Sequence, residues 1–227
     1  MTADEAEVTE GNDPRMTSNV RQITTQARGR KRREALLTAA RELLAIKEID
    51  EIAMADVAAY AGIPKSSAYH FYDDLTPLYS ELAAVLDGEL QASFAEPIGD
   101  VRDWEQVIGI IMDRAADFFL ANRAAQQLMF GPKTPPEIKR SSRNADIETS
   151  GIVERHLDEI FILPQVPDRS RMFFRAIEVA DLMFGLSLFE YGELRREMVD
   201  EAKKISCAYL ALYLPRILFL RGSLDGP

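Results

Sequence analysis

MADVAAYAGIPKSSAYHFYDD, Met54 to Asp74, is the stretch whose reading decides the fold. Met54, Val57 and Ala58 fall on one side of a short helix that starts near Ile52, while Asp56 points away from them. A helix this short is not stable alone, so it must pack on its neighbours. Gly62 ends it, because glycine enters the left-handed conformation that closes a helix without a Cβ penalty. Pro64 opens the next helix, where its missing N–H costs nothing. Asp73 and Asp74 stop that helix near Phe71 and offer caps to a further one, which accepts Pro77 in its first turn. Two short helices around a glycine turn, behind a longer helix, make a helix-turn-helix.

The longer helix lies just upstream. From Arg32 to Ile46, Leu36, Leu37, Ala40, Leu43 and Leu44 recur at the spacing of one buried face. In a helix-turn-helix the second short helix enters the major groove, with its N-terminal residues near phosphates and base edges. Lys65, Ser66, Ser67, Tyr69 and His70 are the residues such a helix presents, while Ala68 and Phe71 face inward. Lysine and hydroxyl groups bind phosphate oxygens, and Tyr69 and His70 reach backbone or base edges. For the isolated segment a competing reading has equal weight: Tyr69 and Tyr72 as core aromatics and His70 as a surface histidine.

The net charge of −10 argues against nucleic acid until its distribution is considered. Residues 1–20 carry −4, residues 21–47 carry +6, and the remainder carries −12. The basic charge is concentrated in ARGRKRR, Ala27 to Arg33, where Arg28, Arg30, Lys31 and Arg32 are candidate DNA-binding residues leading into the first helix. The opening MTADEAEVTEGNDPR has no apolar core behind a basic start, so it reads as neither signal nor transit peptide. It is expected to be a disordered acidic tail.

From Arg33 to Leu86 the chain resembles the DNA-binding domain of the TetR family of transcriptional regulators. The residues that carry the resemblance are REALLTAARELLA, MADVAAYAGIPKSSAYHFY and DDLTPLYSELAAVL. They contain the acid-apolar-Ala triplet Asp56, Val57, Ala58, then Ala61, Gly62 and Ile63, the lysine Lys65, the pair Tyr69 and His70, and the aromatic Tyr72. The resemblance implies an all-α chain with an N-terminal helix-turn-helix domain and a C-terminal helical domain for ligand binding and dimerisation. It also implies a regulator, most simply a repressor, that binds a pseudo-palindromic operator in double-stranded DNA as a homodimer and is released by a small hydrophobic effector. Tyr72 joins the DNA-binding candidates on this ground. The chain departs from the family at three places: Ile52 and Ala53 stand where Ser or Thr caps the second helix, Pro64 stands where Ser precedes the lysine, and Asp73, Asp74 and Leu75 stand near a usual lysine. These departures leave an alternative, a helical ligand-binding or scaffold protein with weakened DNA contacts.

The division that follows is a tail over 1–26, the helix-turn-helix domain over 27–77 and the helical domain over 78–227. In the last, Trp104, Val107, Ile108, Ile111, Met112, Ala115, Phe118 and Phe119 form one stripe. Proline-rich breaks at Gly131–Glu137 and Leu163–Ser170 bracket a polar-rich helix or helix pair from Ile138 to Ile162. Trp104, Met112, Phe118, Met129, Phe130, Met183 and Phe184 read as plain core or as an adaptable apolar pocket. Helices over Met172–Tyr191 and Ile205–Leu220 are apolar almost all round and must be covered on several sides. They lie either at the centre of one domain or against a second copy. The resemblance implies the second, a four-helix interface through Phe173, Ile177, Phe184, Leu188, Leu210, Leu214 and Leu218.

Other function classes find little support. The single cysteine, Cys207, excludes an internal disulfide framework, and a reducing compartment, by default the cytoplasm, is expected. Pro215 and Arg216 interrupt the longest apolar run, so no membrane span is expected. With only His70 and His156, there is no paired Glu-x-x-His set and no histidine cluster for zinc, and no phosphate-binding glycine loop is present. Asp113 and Asp117, one helical turn apart, read as charges on a solvated face. Neither catalysis nor a cofactor is expected.

Overall fold

A computed structural model of the chain describes residues 14–221, with side chains from residue 26 onward. Its regular elements are helical: α1 (Pro14–Ile46), a 3-10 turn (Ile49–Glu51), α2 (Met54–Tyr60), α3 (Lys65–Phe71), α4 (Leu75–Phe94), α5 (Trp104–Ala121), α6 (Arg123–Ala125), α7 (Pro136–Ile160), α8 (Arg169–Tyr191) and α9 (Arg196–Leu210). A π turn, Gln126–Phe130, continues α6. One antiparallel bridge joins Phe161 to Leu220.

The two short helices form as their punctuation dictates. Gly62 has φ +65°, and the Ile63 and Gly62 N–H groups donate to the Ala58 and Ala59 carbonyls at 2.9 and 3.1 Å. These two bonds are the Schellman closure of α2. Ala53 offers no side-chain cap, but Asp56 reaches back to accept from the Ala53 N–H at 2.8 Å, which holds the start of α2 from inside. Pro64 sits one residue outside α3, its carbonyl accepting from Ser67 and Ala68. Asp74 caps α4 by accepting from the Thr76 N–H at 2.7 Å. Leu36, Leu43, Leu44, Val57, Ala58, Ala68, Leu78 and Leu82 are buried together, so α1, α2, α3 and the start of α4 share one core.

The C-terminal helices build a bundle in which α4 packs on α7, α7 on α8 and α8 along α9, with α5 against α9. Two expectations need correction. Residues 14–26 of the expected tail lie within α1, and residues 1–13 lie outside the described residues. Between Pro14 and Ile46 the helix meets only one breaker, Gly29, and a lone glycine costs about 1 kcal/mol. The basic run is thus a middle section of one long helix. The last expected helix, Ile205–Leu220, is also different: α9 starts at Arg196 and ends at Leu210. Pro215 lacks the N–H that would continue it and disfavours helical backbone at Leu214. The chain turns at residues 211–213 and runs back to α7, where the Ile162 N–H donates to the Phe219 carbonyl at 2.8 Å and Arg221 pairs with Asp158 at 2.8 Å.

Candidate nucleic-acid interface and ligand cavity

On α3, Lys65, Ser66, Tyr69 and His70 are exposed and Ser67 is half-buried, while Ala68 is buried and Phe71 packs against the core. The Lys65 ammonium lies 5.8 Å from the Tyr69 ring centre, so the two side chains present one surface. Arg28, Arg30, Lys31 and Arg32 are exposed on α1, and none is ion-paired with another described residue. Tyr72 is different and corrects the sequence reading. It is buried, its hydroxyl donates to Glu81 at 2.8 Å and accepts from Arg33 Nε at 3.1 Å, and Arg33 itself pairs with Glu81 at 2.5 Å. Burial pushes its phenol up to about 12. This triad fastens α1 to α4 and leaves Tyr72 no face for DNA.

A cavity of about 400 Å³ lies between α4, the end of α5, the π turn, α7 and α8. Of the seven candidate pocket residues, Met129 and Phe130 line it. A smaller adjoining space of about 30 Å³ is lined by Met112 and Phe184 and shares Leu90, Phe119, Asp146 and Asp181 with the larger one. Trp104, Phe118 and Met183 line neither. Trp104 is wholly buried and spends its indole N–H on the Pro215 carbonyl at 3.0 Å, anchoring the segment after α9. Phe118 packs edge-on against Phe119, and Met183 packs against the core.

Sequence reasoning missed the carboxylates. Asp87 of α4, Asp146 of α7 and Glu178 and Asp181 of α8 all line the large cavity, with Lys139, Ser142 and Arg143 of α7. A signal was present for two of them. Asp181 sits four residues after Ile177 and three before Phe184, on the inward stripe, and Asp87 follows Leu86 within an apolar run. Burial, followed by the neighbouring charge of Glu148, raises Asp87 to about 7. Burial, then Glu178 and Asp87, raises Asp146 to about 7 against the pull of Arg143. Asp181 is held well above the ordinary carboxylate range by burial and by Asp146, Glu178 and Asp87.

Each of these groups binds its proton more tightly folded than unfolded, where an aspartate titrates near ~3.9. Stability contributed by the bound protons is therefore fully present at acid pH and declines as pH rises from about 4 through about 7. Asp181→Asn supplies an amide that can donate to Asp146 without a proton from solvent. We expect it to raise unfolding free energy by about 2 kcal/mol at pH 7.5. The gain should vanish at pH 4, as read by urea denaturation at both pH values.

The seven residues expected at a dimer interface, Phe173, Ile177, Phe184, Leu188, Leu210, Leu214 and Leu218, are all buried within one protomer. This corrects the sequence reading. They face into the protomer's own bundle, with Phe184 against Phe119 and Phe130 and with Phe173, Ile177 and Leu210 around one small space beside Ile108 and Ile111, because a helix apolar on two sides buries one in its own domain. The most exposed apolar side chains of α8 and the segment after α9 are Phe189 (75% exposed), Leu212 (76%), Ile217 (79%) and Phe219 (68%), followed by Leu182 of α8. They occupy the other stripe of α8 and the segment after α9.

The comparisons with known proteins follow the same division. The family model described as tetracyclin repressor-like, C-terminal domain, matches residues 102–214, the span that carries α5 to α9. The chain belongs to the TetR family. No curated protein matches. Among solved structures, a TetR-family transcriptional regulator from Streptomyces coelicolor superposes with TM-score 0.62 at 20% identity, covering 81% of this chain and 99% of that one. A TetR transcriptional regulator from Rhodococcus sp. RHA1 gives 0.60 at 15% identity, over 80% and 96%. SmeT, repressor of the Stenotrophomonas maltophilia multidrug efflux pump SmeDEF, gives 0.59 at 12% identity, over 86% and 96%. At these identities the likeness is one of fold. TetR-family proteins are DNA-binding, dimeric transcription regulators that respond to small molecules, and this chain is a ligand-responsive regulator of that kind. Among its described residues, no helix is long and apolar enough to cross a membrane.

In this TetR-family chain one short segment joins the helix-turn-helix to the cavity. The π turn carries Met129 and Phe130 on the cavity wall, and Phe130 packs at 4.7 Å from Phe119 and 5.7 Å from Phe184 between ring centres. The same turn carries Gln127, whose amide donates to the Leu44 and Lys47 carbonyls at 2.7 Å each and accepts from the Ile49 N–H at 2.8 Å. Gln127 therefore satisfies backbone groups that the end of α1 leaves open. Ion pairs frame the joint: Arg123 with Glu48, Lys133 with Asp50 at 2.7 Å, and Arg41 with Glu89 at 2.7 Å. Arg41 also donates to Asn122 at 2.5 Å. Gly131 closes the turn so tightly that a Cβ there would lie 2.3 Å from the Gln127 carbonyl oxygen, and that oxygen accepts from the Thr134 hydroxyl.

Proposed function

We propose that the protein is a dimeric cytoplasmic repressor that binds a pseudo-palindromic operator and is released when an effector fills the cavity between α4, α5, α7 and α8. The observation that carries this reading is the π turn, which holds the cavity wall with Met129 and Phe130 and the end of α1 with Gln127. A ligand that displaces Phe130 acts on the turn whose Gln127 holds the end of α1. Release is a population shift, driven by the difference in ligand affinity between two dimer states. That one fold neighbour is named as a repressor of an efflux pump agrees with this direction of control.

Lys65, Ser66, Ser67, Tyr69 and His70 would contact DNA from α3, and Arg28, Arg30, Lys31 and Arg32 would add phosphate contacts from α1. Two copies of α3 set about 34 Å apart would read half-sites one turn apart. A gel shift with the DNA flanking the protein's own gene, at two salt concentrations, tests the reading: a specific shift that weakens with salt supports it. Absence of any specific shift overturns it in favour of a ligand-binding protein without DNA function. Lys65→Ala is expected to weaken operator binding several-fold and to reduce the slope of log affinity against log salt by about 1. An unchanged slope would remove Lys65 from the interface.

The dimer would form through the exposed stripe of Leu182, Phe189, Leu212, Ile217 and Phe219. Introducing glutamate at both Leu212 and Ile217 should convert a dimer to a monomer at micromolar concentration in analytical ultracentrifugation, since two charges would have to be buried. A variant that still sediments as a dimer would place the interface elsewhere.

A further inference from the structure

Asp87, Asp146 and Asp181 reach the large cavity from three different helices, and among the described residues none accepts a hydrogen bond from a protein N–H or forms an ion pair. Asp146 and Asp181 lie close enough for one carboxyl group, once protonated, to donate to the other. Asp146 and Asp181 lie at the junction of the large cavity with the small one. Glu178 is bound by Arg143 at 3.1 Å through one oxygen, and its other oxygen is buried without a partner. The two cations of the cavity, Lys139 and Arg143, are exposed at its rim and do not ion-pair with the three aspartates. The Ser142 hydroxyl, also on the cavity, is buried without a partner. Carboxylates without a cationic partner in a partly enclosed cavity are costly unless a positive charge joins them.

The rest of the wall limits what that charge belongs to. Leu90, Phe119, Met129, Phe130, Leu182, Leu186 and Phe189 supply apolar and aromatic surface. Among the described residues, no set of acids, histidines or cysteines converges closely enough to hold a metal ion. A volume of about 400 Å³ suits a small organic molecule. We infer that the effector is an amphipathic organic cation, its protonated amine seated by Asp146 and Asp181 and its apolar body against Phe119 and Phe130. This rests on the reading of the cavity as the effector site. The rings add attraction for a cation over their faces. An anion of the same shape would meet three carboxylates behind the rim cations, and a neutral molecule would bury those carboxylates without a countercharge.

The test uses three probes with one apolar body and different heads: 4-phenylbutylamine, 4-phenylbutanol and 4-phenylbutyrate. Titration calorimetry on the full-length protein at pH 7 should show the amine binding roughly 10-fold to 100-fold more tightly than the alcohol, the range of a buried charge-assisted bond. Binding of the amine should release protons, read as a heat that changes with the ionisation enthalpy of the buffer, and the alcohol should release none. Asp181→Asn, which is expected to fold, should remove most of the preference for the amine. Equal affinity for amine and alcohol, tighter binding of the butyrate, or no binding of any probe would each overturn the inference. Operator release by the same probes, followed by fluorescence anisotropy, separates the two readings. Release by the alcohol or butyrate without advantage to the amine leaves the regulator standing and removes the cation. Preferred binding of the amine that leaves the DNA complex intact keeps the cation and removes the cavity as the switch.

Discussion

Gln127→Ala is expected to lower the unfolding free energy by about 3 kcal/mol and to make operator affinity insensitive to effector. The side chain is buried, and its three hydrogen bonds engage the Leu44 and Lys47 carbonyls and the Ile49 N–H. Alanine leaves two acceptors and a donor without partners where the end of α1 meets the 3-10 turn, and each such loss costs about 1 kcal/mol or more. Gln127→Glu should be no better, because a carboxylate oxygen would then face two carbonyl oxygens. Urea denaturation gives the first effect. DNA titration with and without effector gives the second. A variant that loses stability yet still releases DNA on effector addition would show that the signal runs instead through the Arg41 contacts with Glu89 and Asn122.

Trp104→Ala should cost about 4 kcal/mol, the range for deleting a large buried aromatic whose cavity cannot collapse. Its indole N–H also holds the Pro215 carbonyl, so the segment after α9 should loosen with it. Trp104→Phe keeps most of the volume and should lose about 1 kcal/mol, the share of the hydrogen bond. Because Trp104 is the only tryptophan, circular dichroism rather than fluorescence must follow both variants. Trp104→Phe should bind effector with unchanged affinity. A large drop in affinity would return the indole to the ligand site.

The N-terminal elements were legible because their signals are local. Gly62, Pro64 and Asp74 mark boundaries within a few residues of where the helices begin and end, and Ala68 and Phe71 could be turned inward from spacing alone. Asp113 and Asp117 read correctly as surface charges; Lys203 meets the first at 2.6 Å and Arg196 the second at 2.5 Å. The cavity was legible only where aromatic bulk marks it, at Met129 and Phe130. Its acids come from α4, α7 and α8, and nothing near Asp146 in the chain distinguishes it from any aspartate on a solvated helix. Tyr72, for which core and groove readings stood level in the sequence, is decided by its partners: Arg33 and Glu81 lie on other helices, and only the packing of α1 on α4 makes it a core aromatic. Phe173, Ile177, Phe184 and Leu188 were read as interface residues because α8 is apolar on two sides, and periodicity does not say which side its own domain claims.

The three cavity aspartates without an ion-pair partner also bear on how this regulator can change its specificity over generations. A residue that supports the fold resists replacement, because its loss must be compensated before a new function can be selected. Asp87, Asp146 and Asp181 burden the folded chain, so exchanging any of them for asparagine, a single-base change, needs no compensating mutation. If the cavity takes the cationic effector inferred above, it can move to uncharged ligands one step at a time, with the helices that carry the acids left intact. A lineage that acquired a new ligand this way would leave α3 untouched, since Lys65, Ser66, Tyr69 and His70 lie on a different part of the chain.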